Sequence, residues 1–190
     1  MDWLQNTNKL SALLESLSVK DACQKEVGYE NGFKFWYDLG LACKNMDKCV
    51  YFIGNGASAS MASHFSADLA KQVGVRSSVF TDLSLLTALS NDISYEMAYA
   101  EAIRQNMRKG DMLIAISSSG NSTNIVNAIN VARELNGTVV TISAMDENNA
   151  IRRLGDLNFY IVASTYGFAE TGHTVILHYW IDMLHQAEQK

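Results

Sequence analysis

Residues 49–56 read CVYFIGNG, and this stretch decides the fold. Its first five residues are apolar and favour a β-strand, while Gly54, Asn55 and Gly56 are typical of a tight loop. Residues 58–72 follow with a helical pattern. The stretch therefore predicts a strand, a glycine loop and a helix, which is the repeating unit of parallel sheets.

The same unit recurs along the chain. Further strands are predicted at 75–80, 112–116, 138–142 and 157–162, and helical segments separate them. Such spacing favours parallel strands joined by right-handed crossovers, with helices covering both faces of the sheet. We predict an α/β three-layer sandwich with a five-stranded parallel sheet.

The N-terminal region differs from this pattern. Residues 8–47 carry two helical patterns, interrupted by the polar segment SVKD at 18–21. We expect one domain over 1–190, with N-terminal helices at 1–48 and the sandwich at 49–190. The apolar faces of the N-terminal helices predict an oligomer interface.

Composition excludes several classes of protein. The chain has 190 residues, of which 48% are hydrophobic and 18% charged, so it can bury a sizeable core. The net charge is -5 and no basic stripe is present, which argues against nucleic acid and membrane partners. The N-terminus lacks a secretory pattern, and three cysteines without CxxC spacing predict no disulfide framework. We expect a cytoplasmic protein.

A serine loop follows the predicted strand at 112–116. Residues 117–122 read SSSGNS and lead into a helix. Hydroxyls and backbone N–H groups at a helix start suit a phosphate monoester, because the helix dipole favours an anion there. The alternative is that these serines only cap the helix and form a solvated turn. Residues 54–59 also fit a permissive dinucleotide fingerprint, G-x-G-x-x-A, so a nucleotide is a further alternative.

Titratable residues occur at helical spacing in two segments. His64 and Asp68 are four residues apart, and Glu170 and His178 are eight apart, so each pair lies on one helix face. Two imidazoles and two carboxylates could form a tetrahedral zinc site. Alternatively, His64 packs beside Phe65 and the later histidines occupy a helix surface.

The two loops together resemble the sugar isomerase (SIS) domain family, and within it the sedoheptulose-7-phosphate isomerase branch. The resemblance spans about residues 54–178. It also includes the pair at 64–65, the segment LSND at 89–92, and Glu170, His173 and His178 in the last helix.

The resemblance implies a homotetramer of flavodoxin-like sandwiches with active sites at subunit interfaces, and heptose synthesis for lipopolysaccharide or capsule. It implies a phosphorylated sugar as ligand, with Asn55 and Asp92 binding the sugar. The expected substrate-binding set consists of Asn55, Gly56, Ser58, Asp92, Ser117, Ser118, Ser119, Ser122 and Glu170, in which Ser58, Ser117, Ser119 and Ser122 hold the phosphate. One zinc ion per chain is implied, on His64, Asp68, Glu170 and His178.

The implied reaction interconverts a ketose phosphate and an aldose phosphate. Most simply, sedoheptulose 7-phosphate becomes D-glycero-D-manno-heptose 7-phosphate through an enediol. We predict Asp68 as the base and His178 as its acid/base partner.

The chain departs from the branch at three places. Where the branch carries Glu and Gln, this chain has Asp68 and Glu170, and residues 164–169 lack the usual acid pair and arginine. Two other hypotheses therefore stay open. One is a non-catalytic SIS module that binds a sugar phosphate or the bacterial replication initiator, and the other is an isomerase for a different phosphosugar.

Overall fold

The computed structural model describes residues 2–187. Its helices are α1 (Trp3–Glu15), α2 (Tyr29–Asn45), α3 (Ala57–Asp68), α4 (Leu83–Asp92), α5 (Ala98–Asn106), α6 (Thr123–Glu134) and α7 (Tyr166–Ala187). Its strands are β1 (Ser18–Asp21), β2 (Cys49–Gly54), β3 (Arg76–Val79), β4 (Met112–Ser117), β5 (Thr138–Ala144) and β6 (Leu157–Ile161). The predicted domain includes residues 1 and 188–190, which lie outside the described residues.

The six strands form one sheet in the order β1-β6-β5-β4-β2-β3. Strands β2 to β6 pair in parallel, as the sequence predicts. From β2 the chain moves outward to β3, whereas from β4 it moves the other way through β5 to β6. The order therefore reverses between β2 and β4, and ligands of open α/β sheets bind at such a switch point.

Two apolar cores lie on opposite faces of the sheet. Val50 and Phe52 of β2 face the core formed with α2, α3 and α7, while Tyr51 and Ile53 face the core formed with α5 and α6. This alternation follows from the two-residue period of a strand. All six residues of β2 are buried, as expected for a central strand covered on both sides.

Two tryptophans join the N-terminal region to the last helix. The rings of Trp36 in α2 and Trp180 in α7 stack with centroids 4.3 Å apart, and the Trp180 indole N–H donates to the Trp36 carbonyl at 3.1 Å. Gly40 leaves room for this contact, because a Cβ there would lie 3.0 Å from the Trp180 ring. Helix α2 is thereby fixed on the same face of the sheet as α3 and α7.

The predicted strand count of five is wrong by one. The polar segment 18–21 forms β1, which pairs antiparallel with β6 from Ser18↔Tyr160 to Asp21↔Leu157. An edge strand needs only one partner, so backbone hydrogen bonds can hold a short segment that has little apolar patterning. The N-terminal region thus contributes a strand as well as helices.

Other elements match the prediction with small shifts. The short helix expected near residue 150 is a 3-10 turn at Ile151–Arg153, and α3 continues into a π-helical turn at Leu69–Val73. Among residues 2–187, no helix combines the length and the apolar character that crossing a bilayer requires.

Candidate functional site

A cavity of about 270 Å³ lies at the carboxyl ends of β2 and β4, where the strand order reverses. It is lined by Asn55, Gly56, Ala57, Ser58, Ile116, Ser117, Ser118, Ser119, Ser122, Tyr166 and Glu170. This set brings together both loops predicted from the sequence and the start of α7. Of the expected substrate-binding residues, all except Asp92 line it.

The glycine loop brings backbone N–H groups to the cavity. Gly56 has φ +56° and precedes α3, a conformation that other residues rarely adopt. A Cβ on Gly54 would lie 2.6 Å from the Ser58 backbone, so only glycine allows the first turn of α3 to approach β2 this closely. The Tyr99 hydroxyl donates to the Gly54 carbonyl at 2.6 Å and helps fix the loop. Ser58 is consequently held, buried, at the cavity wall.

The serine loop forms the other wall. The Ser117 hydroxyl oxygen accepts a hydrogen bond from the Gly120 N–H at 3.2 Å, and the Ser119 hydroxyl oxygen accepts one from the Asn121 N–H at 3.3 Å. Gly120 has φ +64° and packs against Asn149, where a side chain would clash. The loop is therefore a tightly folded turn with its hydroxyls at the cavity.

Ser122 stands at the N-cap position of α6, but its side chain makes no capping hydrogen bond. Capping is the usual role of serine at this position, and it was the main alternative to ligand binding. Because Ser122 also lines the cavity, its hydroxyl is available to donate a hydrogen bond to a bound anion.

The cavity is lined by neutral hydrogen-bond donors and by no cationic side chain. Among its lining residues there is no lysine, arginine or histidine, and Glu170 carries the only charge. An anion here would be held by neutral hydroxyl and backbone donors and by the N-terminal dipoles of α3 and α6. The arrangement suits a phosphate group on a small polar molecule.

The last helix, α7, contributes Tyr166 and Glu170 to the cavity wall. They are four residues apart in α7, so they share one face of that helix. Glu170 is half-buried and Tyr166 is exposed. Tyr166 was not among the predicted site residues, because residues 164–169 differ from the sugar isomerase pattern. Its position at the start of the helix that carries Glu170 could have indicated it.

A second polar cluster lies where α3 packs beside α7. The His64 Nε2 atom is 3.3 Å from Asp68 Oδ2, and the His64 ring meets the His178 ring edge-on with centroids 5.7 Å apart. The His178 ring also contacts Phe65, at 4.7 Å. Helical spacing places His64 beside Asp68, and the packing of α3 on α7 brings His178 to them, so three of the four predicted metal ligands are neighbours. His64 does pack beside Phe65, as the alternative interpretation proposed, with centroids 5.0 Å apart.

The two clusters are separate within one chain. His64, Asp68 and His178 do not line the cavity, and Glu170 is eight residues from His178, which is about 12 Å along a helix. Asp92 ends α4, is exposed, and accepts a hydrogen bond from Asn91 at 2.9 Å. The structure of one chain thus brings the predicted phosphate-binding residues together and leaves the predicted acid–base pair outside their cavity.

The predicted zinc ligands do not form a complete site in one chain. Over residues 2–187, no group of three or more histidine, cysteine, aspartate or glutamate side chains is placed to hold a metal ion. The His64 and Asp68 side chains contact each other, and Glu170 lies at the cavity instead. This donor set does not fit a zinc ion without rearrangement or a further chain.

His173 has no role in either cluster. It is completely buried, and neither of its ring nitrogens has a hydrogen-bond partner among the described residues. Burial lowers its pKa from 6.5 to about 4, and an interaction with the Ser143 backbone, short of hydrogen-bond geometry, opposes this only in part. His173 is therefore a neutral core residue near pH 7.

Comparisons with known proteins agree with the fold and the loops. Residues 36–144 match the SIS domain family. The chain is 33% identical to a phosphoheptose isomerase of Aliarcobacter butzleri over 141 residues, covering 71% of this chain and 74% of the relative. It is 29% identical to that of Helicobacter pylori over 177 residues, covering 90% and 92%.

A solved structure of a relative has a similar fold. The phosphoheptose isomerase GmhA from Neisseria gonorrhoeae superposes with a TM-score of 0.76 at 27% identity, covering 81% of this chain and 86% of that one. The family match includes β2, the glycine loop, β4 and the serine loop. This chain is a member of the SIS domain family.

Proposed function

We propose that the protein is an isomerase that interconverts a ketose phosphate and an aldose phosphate, with sedoheptulose 7-phosphate as its substrate. The observation that carries this proposal is the cavity at the β2–β4 switch point, whose neutral donors suit a phosphate monoester. The relatives named phosphoheptose isomerase support the choice of a seven-carbon sugar.

Phosphate binding anchors the substrate. The hydroxyls of Ser58, Ser119 and Ser122 and the backbone N–H groups at the starts of α3 and α6 donate to the phosphate oxygens. Glu170 can accept hydrogen bonds from sugar hydroxyls, because a carboxylate offers only acceptors. The substrate is then held at its phosphate by these donors and at its sugar hydroxyls by Glu170.

Proton transfer falls to Asp68 and His178. A base removes a proton from C1 of the ketose while the C2 oxygen gains one, which gives an enediol. Loss of the proton on the C1 oxygen and protonation of C2 then give the aldose phosphate. A carboxylate and an imidazole suit these steps near neutral pH. The Asp68 carboxylate contacts the His64 ring, and this contact can orient the carboxylate.

A homotetramer would complete the site. His64, Asp68 and His178 lie outside the cavity of their own chain, and the side chain of His64 is 57% exposed. Helices α1 and α4 bury none of their residues fully, and Trp3, Leu4 and Leu83 are exposed. We propose that neighbouring chains cover these surfaces and bring the acid–base residues of one chain to the cavity of another.

Mixing two impaired variants, at a substrate concentration where neither turns over well alone, tests the shared site. A Ser119→Ala/Ser122→Ala chain lacks phosphate donors and a His178→Ala chain lacks the acid/base group. If each site combines two chains, unfolding and refolding the variants together should restore part of the wild-type turnover. Unrestored turnover in mixed oligomers of confirmed composition would argue that each chain supplies a whole site.

Zinc stays a prediction. The residues that would hold it are His64, Asp68, Glu170 and His178, and a bound cation would polarise the substrate oxygens. One chain does not bring all four of these side chains together, so the proposed zinc site would need a rearrangement or a neighbouring chain. The cytoplasmic location also stays a prediction.

The activity assay follows sedoheptulose 7-phosphate by NMR, with and without added zinc. We expect signals of an aldose phosphate to appear with the wild-type chain and not with the His178→Ala chain. No turnover on any heptulose or pentulose phosphate would refute the proposal.

A non-catalytic binding module is the second candidate, favoured by one observation. The predicted acid–base residues lie outside the cavity that would hold the phosphate. A module of this kind would bind a sugar phosphate, or the replication initiator, without turning it over. Calorimetric binding of sedoheptulose 7-phosphate without aldose formation would select this candidate.

A further inference from the structure

The side chain of Asn55, at the cavity wall, is held by two other residues. The Asn55 carboxamide N–H donates to Asn124 Oδ1 at 2.9 Å, and the Asn124 carboxamide N–H donates to Asn55 Oδ1 at 2.9 Å. The Tyr95 hydroxyl also donates to Asn55 Oδ1, at 2.9 Å. Three hydrogen bonds thus fix the orientation of one amide group.

Counting donors and acceptors shows what Asn55 can still offer. A carboxamide oxygen has two lone pairs, and here Asn124 and Tyr95 occupy both. The carboxamide nitrogen has two N–H groups, and one of them is donated to Asn124. Asn55 therefore retains one N–H donor and no unused acceptor.

The two residues that hold Asn55 come from different parts of the fold. Asn124 lies in the first turn of α6, directly after the serine loop, and is 2% exposed. Tyr95 begins the 3-10 turn that follows α4 and is 49% exposed. The amide pair consequently ties the glycine loop to the serine loop, so that both walls of the cavity keep a fixed separation.

We infer that Asn124 and Tyr95 are positioning residues that orient Asn55 as a hydrogen-bond donor toward an oxygen of the bound phosphosugar. This inference rests on the proposed function for the identity of the ligand. Without Asn124, the Asn55 side chain could rotate and present its oxygen, which would face the electron-rich oxygens of a phosphate or a sugar.

Single substitutions test the inference by affinity. Asn124→Ala should weaken calorimetric binding of sedoheptulose 7-phosphate roughly tenfold, because it removes two hydrogen bonds that fix Asn55. Tyr95→Phe removes one and should weaken binding by about threefold. The KM should rise by the same factors with little change in kcat, as expected for a contact made equally in the ground and transition states.

Matched controls separate positioning from general stability. Asn106→Ala removes an amide whose N–H donates to the Ala102 carbonyl at 2.9 Å, at the opposite end of α5 from the turn that carries Tyr95. Tyr51→Phe removes a phenol hydroxyl that donates to the Asn106 carbonyl at 3.0 Å. Neither residue lines the cavity, so both variants should bind the phosphosugar as the wild type does.

A double variant asks whether Asn124 acts through Asn55. If it does, Asn55→Ala/Asn124→Ala should bind no more weakly than Asn55→Ala alone, because the orienting residue has nothing left to orient. Additive losses, or wild-type affinity in both Asn124→Ala and Tyr95→Phe, would overturn the inference.

Wild-type binding and turnover, measured beside the variants, distinguish a failure of the positioning role from a failure of the proposed function. A wild-type chain that binds the phosphosugar without isomerising it would refute the isomerase but leave the positioning role to be judged by affinity. Normal turnover with no effect of the variants would overturn the positioning role alone. A wild-type chain that binds no phosphosugar would overturn both.

Discussion

Acidification should destabilise the protein through His173. Burial lowers the pKa of this imidazole to about 4 in the folded chain, whereas the unfolded chain has the ordinary value of 6.5. Between these pH values the unfolded chain binds a proton that the folded chain does not bind. The free energy of unfolding therefore falls as pH drops from 6.5 to about 4, and this contribution becomes constant below that pH.

The size of the effect follows from the two pKa values. Their difference corresponds to about 3 kcal/mol once pH is below 4, and to somewhat less at pH 4.5, where part of the folded chain is still unprotonated. His173 is fully buried, so solvent screening does not reduce this value much. Other titrating groups add to the total pH dependence, and a variant without the imidazole is needed to isolate this part.

Urea denaturation at pH 7.5 and at pH 4.5 provides the assay. The wild type should lose on the order of 2 to 3 kcal/mol more than His173→Leu between these two conditions. At pH 7.5 the variant should be at least as stable as the wild type, because the buried ring nitrogens have no hydrogen-bond partners to lose. Equal losses in the wild type and in His173→Leu would refute the reasoning.

Three further predictions concern the site. Ser119→Ala/Ser122→Ala should weaken calorimetric phosphosugar binding at least tenfold with an unchanged circular dichroism spectrum, whereas unchanged affinity would remove both residues from the site. Asp68→Asn should abolish turnover but keep phosphosugar binding, while Asp68→Glu should stay active. The wild-type rate should show a bell-shaped dependence on pH. Wild-type turnover in Asp68→Asn would exclude Asp68 as the base. Purified protein should hold about one zinc per chain by elemental analysis, lost in His64→Ala/His178→Ala, and no zinc even after its addition would exclude the metal.

Much of the fold could be predicted because four of its six strands, β2, β4, β5 and β6, are buried along almost their whole length. Runs such as Val50 to Ile53 have no reason to be apolar on both faces unless helices cover the sheet on both sides. The edge strand β1 could not be found in this way. Its residues Ser18 and Lys20 carry no apolar alternation, and the strand exists because β6 offers unpaired backbone groups.

The candidate site was predictable where the backbone determines it. Gly56 and Gly120 have positive φ, so their loops leave a mark in the sequence. The contact between Asn55 and Asn124 joins residues 69 positions apart, and no local pattern indicates it. The separation of His178 from the cavity likewise depends on helix packing, which spacing within one helix cannot reveal.

Proton transfer at the substrate carbons tests the central proposal most directly. The wild-type chain is incubated with sedoheptulose 7-phosphate in D2O and followed by proton NMR, with His178→Ala as the inactive control. We expect an aldose phosphate to form with deuterium at C2, because an enediol takes up its new proton from a group that exchanges with solvent. Intact sedoheptulose 7-phosphate, with no aldose signal and no deuterium at C1 after prolonged incubation, would contradict the proposed isomerase.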